Sequence, residues 1–419
     1  MGNSQNNIVR SNKHIVIVGG SIAGFALAEA LWDQFQVTII DMKDYFEFIL
    51  TNVKAAAIPN YINEIILPYE EIVRANQNKF KFIQGKLETV NKDNSIEIAN
   101  KDGAKSVVQY DILVLATGFS YEQPVKDEKS LTLQDRRNGI SEFQQKIANA
   151  QSILVAGSGI VGIELMGELA HAYPEKQLSL LSRGGRLLQN MKPQVGQILD
   201  TYFKSKKVKL IYNKAYDSRD KSFEKYDCVI QATGYTYKTD FMKKNFANCL
   251  ASTGEIYVND LFQISSEDPA QDPNAIGVKE NIFCFGDVSR CSLQNTKSAV
   301  QIKWLSPLLI KNIIQLANGQ RPSNQIPQKQ SYMAMISLGP NDALITLNGL
   351  VIFNKKAGKS KFEMAEDNMR ALRGDIGIRK KNQKKLNKVK GFLSCLTCCC
   401  FCCGCSNFNT IVTRQPKSF

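Results

Sequence analysis

The sequence contains few of the side chains that carry acid–base and thiol chemistry in enzymes. Only His14 and His171 are histidines among 419 residues, so a mechanism built on a histidine acid, base or nucleophile is not expected. Before residue 371 the cysteines are isolated and include no Cys-x-x-Cys pair: they are Cys228, Cys249, Cys284 and Cys291. This scarcity excludes a thiol–disulfide relay and a disulfide framework, and it favours a reducing, cytoplasmic location.

Long apolar runs and secretion signals are absent as well. No stretch reaches the roughly 18 to 20 apolar residues that a membrane-spanning helix needs, and the N-terminus lacks a charged-then-apolar signal pattern. The net charge is +14, but residues 371–419 hold ten Lys and Arg against one acid. The rest of the chain therefore carries only about +5, and the basic character belongs to a C-terminal tail.

A strand, a glycine turn and a helix follow one another near the N-terminus. Ile15–Val18 is a short β-branched apolar run, Gly19–Gly24 reads GGSIAG, and a helical pattern follows. The next strand, Val37–Ile40, ends in Asp41. This is the dinucleotide-binding pattern, in which glycines permit close approach, the helix N-terminus faces a pyrophosphate and the acid binds ribose hydroxyls. Ser21 replaces the middle glycine, and an ordinary βα turn remains the alternative.

The same pattern recurs later in the chain. A strand from Ser152 leads into Gly157–Gly162, which reads GSGIVG, and then into a helix. The following strand, Ser179–Ser182, ends without an acid, and Arg183 and Arg186 stand there instead. Because arginine pairs with a 2′-phosphate and a carboxylate repels it, this end favours NADPH, while NADH stays possible. Two such units imply two dinucleotides, and hydride transfer between a nicotinamide and a flavin needs both.

Three further strands end in conspicuous turns. Ile112–Leu115 and Val229–Gln231 each lead into Ala-Thr-Gly, and Ile282–Phe285 leads into Gly286 and Asp287. Ligands of open parallel sheets sit beyond the carboxyl ends of the strands, so Asp287 is expected to bind ribityl hydroxyls. A helix predicted for Ser298–Ala317 has its N-terminus directed towards the flavin.

The predicted fold class is α/β, with two Rossmann-like domains, a small C-terminal α+β domain and a flexible tail. Strand-like runs at Tyr332–Leu338 and Ala343–Phe353 mark the small domain. The predicted boundaries are an FAD-binding domain at 12–121 and 238–328, an NAD(P)H-binding domain at 122–237, a small domain at 329–370 and a basic, Cys-rich tail at 371–419.

From Ile15 to Phe353 the chain resembles the two-dinucleotide-domain flavoprotein reductases with glutathione-reductase-like domains. Within them it is most similar to the ferroptosis-suppressor and apoptosis-inducing-factor-like NAD(P)H:quinone reductases. The motifs that carry the resemblance are Asp41–Asp44, Tyr173–Lys176, Gly286-Asp287, Lys297 and Leu338–Asp342. The resemblance implies FAD and NAD(P)H as cofactors, a ubiquinone-like substrate at a membrane surface, and no metal site.

The resemblance also implies functional residues. Those expected to hold FAD are Gly19, Gly20, Ser21, Gly24, Asp41, Lys43, Lys54, Thr117, Gly118, Gly286, Asp287 and Lys297. Those expected to hold NAD(P)H are Gly157, Gly159, Gly162, Glu164, Arg183 and Gly234. Glu164 is also the candidate catalytic residue near the nicotinamide and flavin, with capping and orientation of the cofactor helix as its alternative role.

Both ends of the chain indicate membrane attachment. Gly2 is in place for N-myristoylation, although Asn6 stands where Ser or Thr is favoured. Residues 379–390 carry seven positive charges, which attract anionic lipid. Seven cysteines, candidates for S-palmitoylation, follow among Phe and Leu: Cys395, Cys398, Cys399, Cys400, Cys402, Cys403 and Cys405. A metal-binding cluster or a disordered tail are the alternatives; nucleic-acid binding is not expected, because no aromatic residue interrupts 379–390.

Two other functions fit the same motifs. One is reduction of a small redox protein such as ferredoxin, although the modest charge of the folded body does not suggest a basic docking patch. The other is a non-enzymatic signalling role in which NAD(P)H binding changes partner contacts. The oligomeric state is not predicted, and a peripheral position on the cytoplasmic face of a membrane is expected.

Overall fold

The computed structural model describes residues 10–268, 277–292, 297–328 and 333–379. The strands are β1 (His14–Val18), β2 (Gln36–Asp41), β3 (Tyr45–Glu47), β4 (Ile66–Pro68), β5 (Lys81–Val90), β6 (Ser95–Asn100), β7 (Lys105–Gln109), β8 (Ile112–Leu115), β9 (Ser152–Ala156), β10 (Gln177–Leu181), β11 (Lys209–Ile211), β12 (Cys228–Gln231), β13 (Ile256–Tyr257), β14 (Ile282–Cys284), β15 (Ser289–Arg290), β16 (Met333–Leu338), β17 (Asp342–Leu347) and β18 (Leu350–Asn354). The helices are α1 (Ile22–Leu31), α2 (Asn52–Ala57), α3 (Ile62–Ile65), α4 (Tyr69–Ala75), α5 (Leu133–Asn149), α6 (Ile160–Ala172), α7 (Pro193–Ser205), α8 (Lys243–Phe246), α9 (Ala299–Ala317) and α10 (Ala357–Leu372).

The largest sheet has the strand order β14-β8-β1-β2-β5-β6-β7. Its first five strands run parallel, and β6 and β7 extend it in antiparallel fashion. Strand β1 lies inside this sheet, and its residues Ile15–Val18 are buried. An unbroken β-branched run is what a parallel strand covered on both faces requires.

A second parallel sheet repeats the central part of the first. Its order is β11-β10-β9-β12. In both sheets the strand that precedes the glycine turn lies between two partners: the strand that follows the helix, and the strand that leads into Ala-Thr-Gly. The carboxyl ends of these strands therefore meet at one edge in each sheet, which is the edge where a nucleotide binds.

The C-terminal sheet is antiparallel, with order β16-β17-β18, and α10 packs against it. The structure divides the predicted run Ala343–Phe353 into β17 and β18 with a tight turn between them. At this turn Asn348 has a φ of 47° and Gly349 a φ of 83°. Positive φ at two successive residues is typical of the hairpin turn that Asn-Gly favours, so the turn has a local sequence cause.

Helix α6 contacts elements from three parts of the chain. It packs against β9 and β10, against α2 from the first half, and against β16 from the C-terminal sheet. One apolar cluster joins all of these elements and includes Val53, Leu165, Leu180, Ile336 and Leu344. Side chains from three parts of the chain are thereby brought to one helix. Across the described ranges, no helix has both the length and the apolar character to cross a membrane.

Candidate cofactor and active site

The first glycine turn joins β1 to α1 and leaves no room for side chains at its ends. Gly19 has a φ of 99°, and a Cβ there would lie 2.3 Å from the Ala116 carbonyl oxygen. A Cβ on Gly24 would lie 1.8 Å from the Gly19 carbonyl oxygen. Ser21 is the N-cap of α1, and its buried hydroxyl has no hydrogen-bond partner in the ranges that the structure describes. The outer glycines are thus required by packing, while Ser21 presents an unsatisfied donor at the helix N-terminus.

The second turn, between β9 and α6, repeats this geometry. Gly157 has a φ of 124°, and a Cβ there would lie 2.1 Å from the Ala232 carbonyl oxygen; a Cβ on Gly162 would lie 1.9 Å from the Gly157 carbonyl oxygen. The repeated Ala-Thr-Gly segments are explained by these contacts, since the alanine carbonyl packs against the first glycine of each turn. Gly159, the N-cap of α6, faces open space.

Both turns therefore fit a dinucleotide. Around Gly159 and Gly234, no atom of the described residues other than the chain neighbours lies within 4 Å of the position that a Cβ would take. This leaves space for a ligand to approach the backbone. In the first half, Gly118 and Gly286 have φ values of 69° and 82°, a conformation that glycine adopts without strain. Thr117 stands between Ala116 and Gly118 at the contact with Gly19.

Two partly buried acids stand near the first turn. The Asp41 carboxylate accepts hydrogen bonds from the backbone N–H of Gly20 at 2.8 Å and of Lys43 at 3.0 Å. Asp41 thus fixes the glycine turn in addition to its predicted role towards ribose. Burial raises the pKa of Asp41 and also that of Asp287, and nearby lysines only partly oppose this effect. Lys126, which the sequence analysis missed, is one of those lysines for both acids.

The structure places two predicted FAD residues in other contacts. The Lys297 ammonium pairs with Glu255 and donates to the Tyr237 hydroxyl at 2.8 Å and the Asp287 carbonyl oxygen at 2.6 Å. It therefore braces the loop that carries Asp287. The Lys54 ammonium lies 4.3 Å from the ring centroid of Tyr61 and 4.0 Å from that of Phe362.

Glu164 is buried in the first turns of α6 and is engaged by the C-terminal domain. Its Oε1 accepts from the Lys361 ammonium at 2.5 Å and from the Ser337 backbone N–H at 2.9 Å. Glu164 thus ties the nucleotide helix to α10 and β16. These contacts hold α6 to the C-terminal part of the chain. Both predicted roles of Glu164, near the nicotinamide and flavin or in orienting the cofactor helix, stay predictions.

Glu168, a second acid on α6, was not predicted from the sequence as a functional residue. Glu168 lies one helical turn beyond Glu164 and is 1% exposed. Within the part of the chain that the structure describes, neither of its carboxylate oxygens has a hydrogen-bond partner. Burial raises its pKa to about 7, the Glu164 carboxylate adds to this effect, and Lys54 and Lys361 oppose it. The i, i+4 spacing from Glu164 places both acids on one face of the helix and was the available signal.

The end of β10 carries hydroxyl and guanidinium groups. The Ser158 hydroxyl donates to the Ser182 hydroxyl at 2.8 Å, and Ser182 donates to the Arg186 carbonyl oxygen at 3.1 Å. Arg183 is exposed beside them. The position that often carries an acid is therefore occupied by an uncharged, hydrogen-bonded serine. The predicted lipidation residues, Gly2 and the seven tail cysteines, lie outside the described residues.

Two sheets with matching glycine turns, joined through α6 to a small C-terminal domain, define the class of two-dinucleotide flavoprotein reductases. The chain belongs to the pyridine nucleotide-disulphide oxidoreductase family, whose model matches residues 13–302. It is an FAD-dependent NAD(P)H oxidoreductase with a mixed α/β fold. The predicted fold class, cofactors and family resemblance are confirmed.

Similar proteins cover most of the chain. Apoptosis-inducing factor homolog A of Dictyostelium discoideum is 24% identical over 376 residues, which are 81% of this chain and 86% of that protein. Ferroptosis suppressor protein 1 of Xenopus tropicalis is 24% identical over 362 residues, 81% of this chain and 90% of that protein. The structure of the sulfide:quinone oxidoreductase from Aquifex aeolicus superposes with a TM-score of 0.67 at 17% identity, covering 86% of this chain and 91% of that one.

Proposed function

We propose that the protein passes electrons from NAD(P)H through FAD to a membrane quinone. The observation that carries the proposal is a groove of about 660 Å³ between the first half and the C-terminal domain. It is lined by Lys54, Tyr61, Pro340, Asn341, Phe362 and Met369. Tyr61 and Phe362 contact each other edge to face, with ring centroids 6.2 Å apart. Charged side chains also line the groove: Glu64, Lys359, Glu363, Glu366 and Arg373. The aromatic and apolar part of the lining, next to the Lys54 ammonium, suits a flat, apolar head group that carries carbonyl oxygens.

Side chains of the groove and, outside its lining, of α6 and α10 have distinct roles in this proposal. FAD, when bound, would supply the two-electron chemistry, accepting a hydride from NAD(P)H and passing both electrons on to the quinone. The Lys54 ammonium donates a hydrogen bond to a quinone oxygen, and the aromatic rings hold the head group and exclude water. Glu168, with a pKa of about 7, holds a proton close to neutral pH, which suits a reaction that consumes protons. The Glu164–Lys361 ion pair keeps the groove wall fixed to the nucleotide helix.

The leading test is turnover by the purified full-length flavoprotein. We expect NADH and NADPH oxidation to accelerate when a soluble ubiquinone analogue is added, and we expect Phe362→Ala to raise the KM for the quinone about tenfold or more, since it removes one wall of the groove. The KM for NAD(P)H should not change. Met364→Ala, an exposed position on the same helix, is the matched control.

Other outcomes separate the alternatives. A flavin that NAD(P)H reduces but that no quinone reoxidises would contradict the proposal. Fast reoxidation by a ferredoxin alone would favour the small-redox-protein reductase, and very slow reoxidation by both acceptors would favour the signalling role. The comparison of NADH with NADPH also tests the preference inferred from Arg183.

We further propose that the chain works at the cytoplasmic face of a membrane through its acylated and basic ends. The proposal rests on Gly2, on the charges of 379–390 and on the Cys-rich stretch 391–405, because one myristoyl chain alone binds only marginally. We expect full-length protein expressed in eukaryotic cells to float with anionic liposomes. A variant with the seven tail cysteines replaced by serine should float much less, and equal flotation of both would contradict acyl anchoring.

A further inference from the structure

The crossover segment, residues 119–132, connects the first Ala-Thr-Gly turn to α5. Two of its consecutive carbonyl groups accept hydrogen bonds from other parts of the chain. The Asn52 side-chain amide donates to the Val125 carbonyl oxygen, and the Arg136 guanidinium donates to the Pro124 carbonyl oxygen at 2.8 Å. Arg136 is itself paired with Glu47 at 2.7 Å. The backbone immediately before Lys126 is therefore anchored to both α2 and α5.

The Lys126 side chain lies beside the first Ala-Thr-Gly turn, which is formed by residues 116–118. Its ammonium donates to the Phe119 carbonyl oxygen at 2.5 Å and lies 4.1 Å from the Phe119 ring centroid. A Cβ built on Gly118 would lie 3.6 Å from the same nitrogen. The ammonium is thus beside the strand end that packs on Gly19, next to the predicted FAD pyrophosphate turn.

The charged groups that face Lys126 come from three strand ends. They are Asp41 and Lys43 at the end of β2, Glu47 of β3, and Asp287 after β14. Burial lowers the pKa of Lys126 to about 8, while Asp287 acts in the opposite direction. Lys43 lies 4.0 Å from the Glu47 carboxylate, whereas the hydrogen bond of Lys126 is to a backbone carbonyl. Lys126 therefore has donor capacity left for a ligand.

We propose that Lys126 is the counter-ion of the FAD diphosphate. The diphosphate carries two negative charges, and the N-terminus of α1 supplies only about half a positive charge. Asp41 and Asp287 stand close by and repel it, so a cation is needed at this place. A charge-assisted bond from an ammonium to phosphate meets that need. The inference concerns FAD binding and stands apart from quinone reduction.

This role of Lys126 makes FAD affinity depend on pH. A bound diphosphate favours the charged form of Lys126, so the bound protein holds this proton to a higher pH than the flavin-free protein. FAD affinity must then fall as the pH rises above about 8, where the flavin-free protein loses the proton. Arginine stays charged throughout this range, and Lys126→Arg should therefore bind FAD tightly without the decline.

The experiment titrates flavin-free full-length protein with FAD and with riboflavin, which lacks phosphate, from pH 7 to 9.5. Quenching of flavin fluorescence gives the affinities. For Lys126→Met we expect FAD affinity about 10- to 100-fold lower than wild type at pH 7, unchanged riboflavin affinity and no decline with pH. Lys129→Met, an exposed lysine on the same crossover segment, is the control and should match wild type.

Two results would overturn the proposal. One is Lys126→Met protein that binds FAD as tightly as wild type. The other is an equal loss of FAD and riboflavin affinity, which would show that the substitution only damages the segment. If flavin removal is not reversible, the flavin-to-protein ratio after extended dialysis at pH 7 and pH 9 gives the same comparison. Equal retention by wild type, Lys126→Met and Lys126→Arg at both pH values would again contradict the proposal.

Discussion

Replacing Arg136 with methionine is expected to lower the free energy of unfolding by about 3 to 5 kcal/mol, because it leaves a buried carboxylate without its partner. Arg136 is 0% exposed and Glu47 is 5% exposed. The guanidinium donates to Glu47 through Nη2 at 2.7 Å and through Nε at 3.2 Å. Burial alone would raise the pKa of Glu47, but Arg136 and then Lys43 bring it below its usual value.

Chemical denaturation of flavin-free variants measures this effect. The double variant Glu47→Leu/Arg136→Met should recover much of the loss, since apolar side chains of similar volume often replace a buried ion pair without net cost. Arg219→Met is the matched control: Arg219 pairs with Asp217 at 2.8 Å on the surface, where solvent screens the pair and its contribution to stability is small. Equal stability of the Arg136→Met and Arg219→Met proteins would contradict the expectation.

The Arg136–Glu47 pair also shows what the sequence could not predict. Its two residues are 89 positions apart, and Glu164 and Lys361 are 197 positions apart. Nothing in the local pattern distinguishes these charges from solvent-exposed ones. They become partners only after the sheets form and the chain returns, so their roles depend on tertiary packing. Lys126 was missed for the same reason, as its neighbours come from distant strand ends.

The elements around the cofactor turns could be predicted because their signals are local. Ile15–Val18 is a run of β-branched residues, and it lies within β1. The helix predicted for Ser298–Ala317 matches α9, whose N-cap Ser298 accepts a hydrogen bond from the Gln301 backbone N–H. The dipeptide Asn348-Gly349 marks the turn of the C-terminal hairpin. This local signal could have divided the predicted run Ala343–Phe353 into two strands. Periodicity and capping thus predicted where elements lie, while side-chain partners required the fold.

Substitutions at two glycines of the second turn should separate effects on the packing of the fold from effects on coenzyme binding. Gly162→Ala places a Cβ 1.9 Å from the Gly157 carbonyl oxygen, which is backbone and cannot move aside. Overpacking of this kind costs typically 1 to 3 kcal/mol and more when the obstacle is rigid. We therefore expect this variant to unfold at lower temperature and lower denaturant concentration than wild type, whether or not NAD(P)H is present.

Gly159→Val should behave in the opposite way. Gly159 has φ −73° and ψ 179°, a backbone conformation that valine adopts readily. Apart from its chain neighbours, no described residue has an atom within 4 Å of its Cβ position. The fold and FAD content should therefore stay as in wild type. The valine side chain would enter the space left for the coenzyme, and we expect the KM for both NADH and NADPH to rise at least about tenfold, a change of roughly 1.4 kcal/mol in binding.

Steady-state kinetics with both coenzymes, together with thermal unfolding, distinguish the two glycines. Ser21 occupies in the first turn the place that Gly159 has in the second, and among the described residues its buried hydroxyl has no hydrogen-bond partner. The fold of such a turn therefore accommodates a small side chain at this position, and we expect a larger one at Gly159 to disturb the coenzyme and not the fold. A Gly159→Val protein with unaltered KM values would show that NAD(P)H does not lie over this turn. A Gly159→Val protein as unstable as Gly162→Ala would show that the open space is needed by the fold itself.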